Sequence, residues 1–129
     1  MKMKTINTIL MSVLIGLFLL SSSDMLAQDP MKVGPKVYKK VLLENDKVRV
    51  MSIEFAPGQA MPMHSHPQHS GYILSGGTIQ ITEKGKPAQI FNLKTGDAVY
   101  FPAVTHMGKN IGKTTIKLIV TEIKPSMKK

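Results

Sequence analysis

The sequence predicts an all-β sandwich or barrel, and three observations carry that expectation. Short apolar runs are separated by turn residues every eight to twelve positions. Thr78–Glu83 alternates Ile79 and Ile81 with Thr78, Gln80 and Thr82, the period of two that marks a half-buried strand. No stretch sustains the apolar period of about 3.6 residues that an amphipathic helix needs.

The elements follow in order. Gly34-Pro35 breaks the chain before a first strand at Val37–Leu43. Asn45-Asp46 turns it into Lys47–Phe55, which Pro57-Gly58 ends. Ala60–His66 is extended, Pro67-Gln68 turns, and Gly71–Leu74 continues. Gly76-Gly77 precedes Thr78–Glu83, and the loop Lys84-Gly85-Lys86-Pro87 precedes Ala88–Leu93. Thr95-Gly96-Asp97 turns the chain into Ala98–Phe101, and Thr114–Lys124 is a long closing strand. In that strand Ile116, Leu118 and Val120 share one face, with Ile119 and Ile123 on the other.

The first 27 residues read as an export signal. Lys2 and Lys4 precede an almost wholly apolar run, Ile9–Leu20, followed by Ser21, Ser22 and Ser23. The run falls well short of the roughly 20 residues that span a bilayer. Cleavage after Ala27 is preferred to cleavage after Ser23 because polar Gln28-Asp29-Pro30 follows. This predicts a periplasmic or secreted protein with no stable membrane anchor after cleavage. The expected organisation is a signal peptide at 1–27, an N-terminal extension and first strand at 28–46, one domain at 47–124, and a tail at 125–129. About 100 residues remain, enough for one self-sufficient core.

Composition excludes several function classes. The 129 residues contain no cysteine, so disulfides, thiolate metal sites and cysteine nucleophiles are absent. No tryptophan and 5% aromatics argue against a stacking platform for single strands. The net charge of +9 is spread without a dense run, and no nucleic-acid partner is expected.

The chemistry is carried by histidine. There are only four, and His64, His66 and His69 fall within six residues, with His106 far downstream. On a strand, residues i and i+2 share a face, about 6.6 Å apart, so His64 and His66 stand side by side. His69, just past the Pro67-Gln68 turn, is expected to approach the same point across a hairpin. His106 is expected from a distant strand that a closed barrel brings near. Imidazole suits Zn, Cu, Fe and Ni.

These residues resemble the two motifs of the cupin superfamily. The first is Gly58, five residues, His64-Ser65-His66, and a closing Gly76. His69 stands seven before Gly76, where the family usually carries a Glu ligand, although Ser70 could also align there. The second motif is Gly96, five residues, Pro102, then His106 and Asn110. Val104 replaces its second Gly, and His106 arrives one residue early. The resemblance covers roughly residues 47–124. It implies a small single-domain jelly-roll β-barrel with a metal in its mouth, held by His64, His66, His69 and His106. The cofactor implied is a divalent transition ion: Fe, Mn, Ni, Zn or Cu. By analogy with small cupins, a homodimer is expected.

Other residues receive plainer readings. Met61, Met63 and Met107 neighbour the histidines, but strand parity turns them away, as core fillers rather than soft copper ligands. Arg49, the only arginine, is either a grip for an anionic group or a solvated strand residue. Tyr72, Tyr100 and Phe101 are expected in the core or pocket wall, Ser65 faces away from the histidines, and Asp97 is structural. Glu54 is the carboxylate placed to be a general base. Two functions are carried forward. One is a metal-dependent dioxygenase or isomerase of a small organic molecule. The other is a non-catalytic module that binds a metal or small ligand.

Overall fold

A computed structural model describes residues 28–127, and the export signal expected at 1–27 lies outside the described residues. Pro30–Val33 forms a single helical turn, α1. Asp29 caps it by accepting from the Met31 amide at 2.9 Å, and Pro30 opens it. The Asp-Pro start is a local signal too short to register as a helical period.

Nine strands follow: β1 (Tyr38–Glu44), β2 (Val48–Phe55), β3 (Ala60–His66), β4 (His69–Ser75), β5 (Gly77–Glu83), β6 (Gln89–Leu93), β7 (Ala98–Phe101), β8 (Val104–Asn110) and β9 (Ile116–Ile123). They form two antiparallel sheets, ordered β1-β2-β9-β4-β7 and β3-β8-β5-β6. The architecture is a jelly-roll sandwich, not a closed barrel, because no hydrogen-bonded ladder joins one sheet to the other among the described residues.

Two features of this topology differ from the expectation. Strands β3 and β4 are not a hairpin: Pro67-Gln68 carries the chain from one sheet to the other. Strand β8 had no hydrophobic signature. It does alternate, but its three buried positions are His106, Gly108 and Asn110, so period-two burial is written in residues that do not read as apolar.

Alternation elsewhere builds the core. Met51, Ile53 and Phe55 of β2 point inward beside Ile116 and Val120 of β9, joined by Val37, Met61 and Ile79. A register shift between Met61 and His64 in β3 breaks strict parity. Met61 is thereby buried although it has the opposite parity to His64 and His66. It fills the core, against Gly34, where a Cβ would collide with its sulfur. Tyr72, by contrast, is exposed on the outer face of β4.

Asn110 closes the end of β8. Fully buried, its Nδ2 donates to the carbonyls of Phe55 and Thr114, and its Oδ1 accepts from the Gly112 amide. It ties the ends of β2, β8 and the approach to β9 together.

Candidate metal centre

The histidines arrive from both sheets. His64 and His66 lie on β3, and His106 is the direct cross-strand partner of His64 on β8. His106 is therefore brought in by the neighbouring strand of the same sheet, not by barrel closure. His69 begins β4 in the opposite sheet, paired with Phe101 and Glu122. All four side chains are buried, at 3%, 5%, 3% and 9% exposure for His64, His66, His69 and His106.

His64, His66 and His106 each offer a ring nitrogen, all within 4.8 Å of one another. His69 stands beside that triad. Its ring is 4.4 Å from the His66 ring and stacked on Phe101 at 5.4 Å.

Hydrogen bonds decide which nitrogens are free. The Nδ1–H of His64 donates to the Pro62 carbonyl at 2.7 Å, and that of His69 to the Pro67 carbonyl at 2.9 Å. Both are the same local device, a proline carbonyl two residues upstream. A carbonyl only accepts, so Nε2 of each ring carries the lone pair. His66 is held from further away: its Nδ1 lies 2.6 Å from Glu122 Oε1, and its Nε2 lies 2.9 Å from the Tyr38 hydroxyl. In the neutral, metal-binding form of His66, Nδ1–H donates to Glu122 and the phenol donates to the Nε2 lone pair.

Glu122 is the functional residue that sequence reading missed. Its own burial would raise its pKa, but the His66 hydrogen bond and the Arg49 guanidinium outweigh this and hold it below the usual carboxylate range. Arg49 reaches it through Nε and Nη2, each 2.8 Å from Oε2, and reaches Asp29 through Nη1 at 2.9 Å. Parity could have found Glu122, since positions 116, 118, 120 and 122 share the inward face of β9. Glu54 lies on the outer face of β2, half-exposed, with Lys117 at 3.8 Å, and takes no part in the site. Arg49 is neither solvated nor free to grip an anion.

Burial, with smaller contributions from the neighbouring histidines, pushes His64 down to about 4 and His106 to about 3. His69 is lowered too, first by burial. At neutral pH these imidazoles are uncharged, the form that binds metal. Burial, then the nearby Glu122 carboxylate, raises Tyr38 well above the ordinary phenol value, so it stays a donor.

The residues present fit a metal ion. Among the described residues, the buried side-chain nitrogens and oxygens without a partner are His64 Nε2 and His106 Nδ1. Buried polar atoms are rarely left so, and an ion is one common reason. The third histidine, His66, presents a lone pair covered only by a hydroxyl.

The histidines line a cavity of about 360 Å³ whose walls come from both sheets. Its other walls are apolar, from Ile53, Phe55, Ile73, Ile81, Phe91 and Leu118 among others.

The family model for the cupin domain matches residues 51–122. The chain belongs to the cupin family. This cupin is similar in fold to a cupin domain from Bordetella pertussis Tohama I, with 23% identity and a TM-score of 0.62, over 67% of this chain and 91% of that one. An RmlC-like cupin from Methanocaldococcus jannaschii, described as a double-stranded β-helix, gives 22% identity and 0.56, over 65% and 76%. A cupin-like protein from Thermotoga maritima MSB8 gives 29% identity and 0.53, over 64% and 65%. None of the curated proteins matches the sequence.

Proposed function

We propose that this cupin is an exported metal-dependent protein that binds, and acts on, a small organic molecule. The observation that carries the reading is the pair of buried, partnerless nitrogens on His64 and His106, two of the three histidines whose ring nitrogens lie within 4.8 Å of one another. His64, His66 and His106 hold a divalent transition ion, and His69 supplies a fourth imidazole from the opposite sheet. When bound, the ion would supply a Lewis acid that polarises an oxygen of the ligand, for isomerisation, or a centre that activates dioxygen, for oxygen-dependent cleavage. The chain's own residues do the rest. Prolyl carbonyls orient His64 and His69, Glu122 orients His66, and the apolar walls exclude water.

A passive binding module is the second reading. What favours it is that Glu122 and Arg49 are bonded within the structure rather than free in the cavity. Metal analysis of the protein purified from its own compartment tests the common part. Protein that carries no ion, and takes up none of Fe, Mn, Ni, Zn or Cu, would remove both metal readings. Oxygen uptake across a substrate screen, with His106→Ala as control, separates enzyme from module.

A further inference from the structure

The cavity walls restrict what this protein can bind. Apart from the histidines, the polar side chains that line the cavity are Tyr38 and Tyr100. Both hydroxyls already have partners, His66 for Tyr38 and Gln68 for Tyr100. No Asp, Glu, Lys, Arg, Asn, Gln, Ser or Thr contributes to the lining among the described residues. The single arginine is committed to Asp29 and Glu122. A ligand with several polar groups would therefore lose its water without replacement, and away from the histidines a charged group would meet no fixed counter-charge.

Gly108 adds a second observation. It lies on β8 facing inward, two residues after His106, and lines the cavity. Its backbone does not adopt a positive φ, so conformation does not require glycine there. Packing does not require it either. A Cβ would meet Ile79 Cδ1 at 3.6 Å and Phe55 Cζ at 3.7 Å, both ordinary contacts and both with residues of the cavity wall. What the missing side chain provides is space inside the cavity. Gly71, which also lines it, differs, because a Cβ there would press on Val99 at 3.1 Å.

We infer that the cavity takes a small molecule with an apolar body and one oxygen headgroup turned to the histidines, and that Gly108 sets the size of that body. The headgroup half rests on the metal reading above; the apolar-body half does not. The class includes phenols, alcohols and simple ketones, and excludes sugars and nucleotides, whose bodies are polar throughout.

The test uses 1-naphthol as the probe, with its intrinsic fluorescence as readout, on metal-free and Zn²⁺-loaded protein. 1-Naphthyl phosphate and glucose are the comparison ligands. The expected result is saturable 1-naphthol binding at least tenfold tighter than glucose on both forms, and at least tenfold tighter than 1-naphthyl phosphate on the metal-free protein. Gly108→Leu should weaken it at least tenfold while Zn²⁺ uptake is unchanged. Gly108→Ala, which adds only the tolerated Cβ, keeps the comparison valid if Gly108→Leu fails to fold, and should give a smaller loss in the same direction. Equal binding of 1-naphthol and glucose, or 1-naphthol binding indifferent to both Gly108 variants, overturns the inference. Zn²⁺ failing to bind while 1-naphthol binds in a Gly108-dependent way would sink the metal reading and the headgroup half, and leave the apolar cavity standing.

Discussion

His66 and Glu122 are 56 residues apart in sequence, yet the imidazole Nδ1 lies 2.6 Å from the carboxylate Oε1. The bond fixes the tautomer and orientation of a candidate ligand, and Arg49 in turn fixes the carboxylate. A carboxylate behind a metal-binding imidazole also raises its basicity. The chain continues outward to Asp29, the cap of α1, so the N-terminal extension helps position the site.

Glu122→Gln should leave the fold intact and weaken metal affinity about 10- to 100-fold, the usual cost of losing such a partner. Competition titration with a chromophoric chelator reads this directly. Wild-type affinity in the variant would show that the carboxylate does not tune His66.

Tyr38→Phe should move two quantities in opposite directions. The phenol hydroxyl bonds the His66 lone pair that an ion must take. Its removal should destabilise the metal-free protein by about 1 kcal/mol and tighten metal binding by about fivefold, the worth of one hydrogen bond. Urea unfolding and metal titration check the two halves. Weaker binding in the variant would mean that Tyr38 supports the ion rather than competing with it.

Arg49→Lys should lower stability by about 1–3 kcal/mol. Lysine cannot reproduce a fork whose Nε and Nη2 both meet Glu122 while Nη1 meets Asp29. Because Asp29 is partly exposed, Asp29→Asn should cost less, about 0.5–1 kcal/mol. A double-mutant cycle by urea unfolding measures the coupling, and additive losses would show that the pair is not an energetic unit.

Acid should destabilise the metal-free protein before its carboxylates titrate. An unfolded imidazole takes its proton near pH 6.5, whereas burial delays His64 to about 4 and His106 to about 3. Between those values the unfolded state binds more protons, so stability is full above pH 6.5 and falls as pH drops toward the folded values. At about 1.4 kcal/mol per pKa unit, the two histidines should remove several kcal/mol by pH 4. Thermal melts of metal-free protein from pH 7.5 to 4.5 check this, and a flat melting temperature from pH 7 to 5 would contradict it.

Asn110→Ala should cost about 3 kcal/mol, because it leaves buried carbonyls and an amide unpaired at once. Urea unfolding reads the loss. A cost under about 0.5 kcal/mol would mean that the strand ends hold without it.

Local chemistry made much of this protein legible. Alternating isoleucines marked β5, proline and glycine bounded β3 and β7, and the His-x-His pair could only share one face of a strand. Those inferences depend on neighbours in sequence, where backbone geometry alone dictates side-chain direction. The strand expected to carry His106 had no legible bounds, because the inward residues of β8 are ligand, space and hydrogen-bonding amide rather than apolar side chains. Parity also failed at Met61, where an irregular register reversed the alternation.

By itself, the sequence determined that any metal chemistry must rest on imidazole, since it contains no cysteine and all four of its histidines fall in or near two spaced motifs. Only the tertiary structure decided that His106 faces His64 across a β3–β8 pair and that His69 comes from the other sheet. It also decided that Glu122, not Glu54, is the carboxylate of the site. The reason is physical. Strand pairing and sheet packing are settled by burial and hydrogen-bond satisfaction across the whole core, and no single segment carries that information.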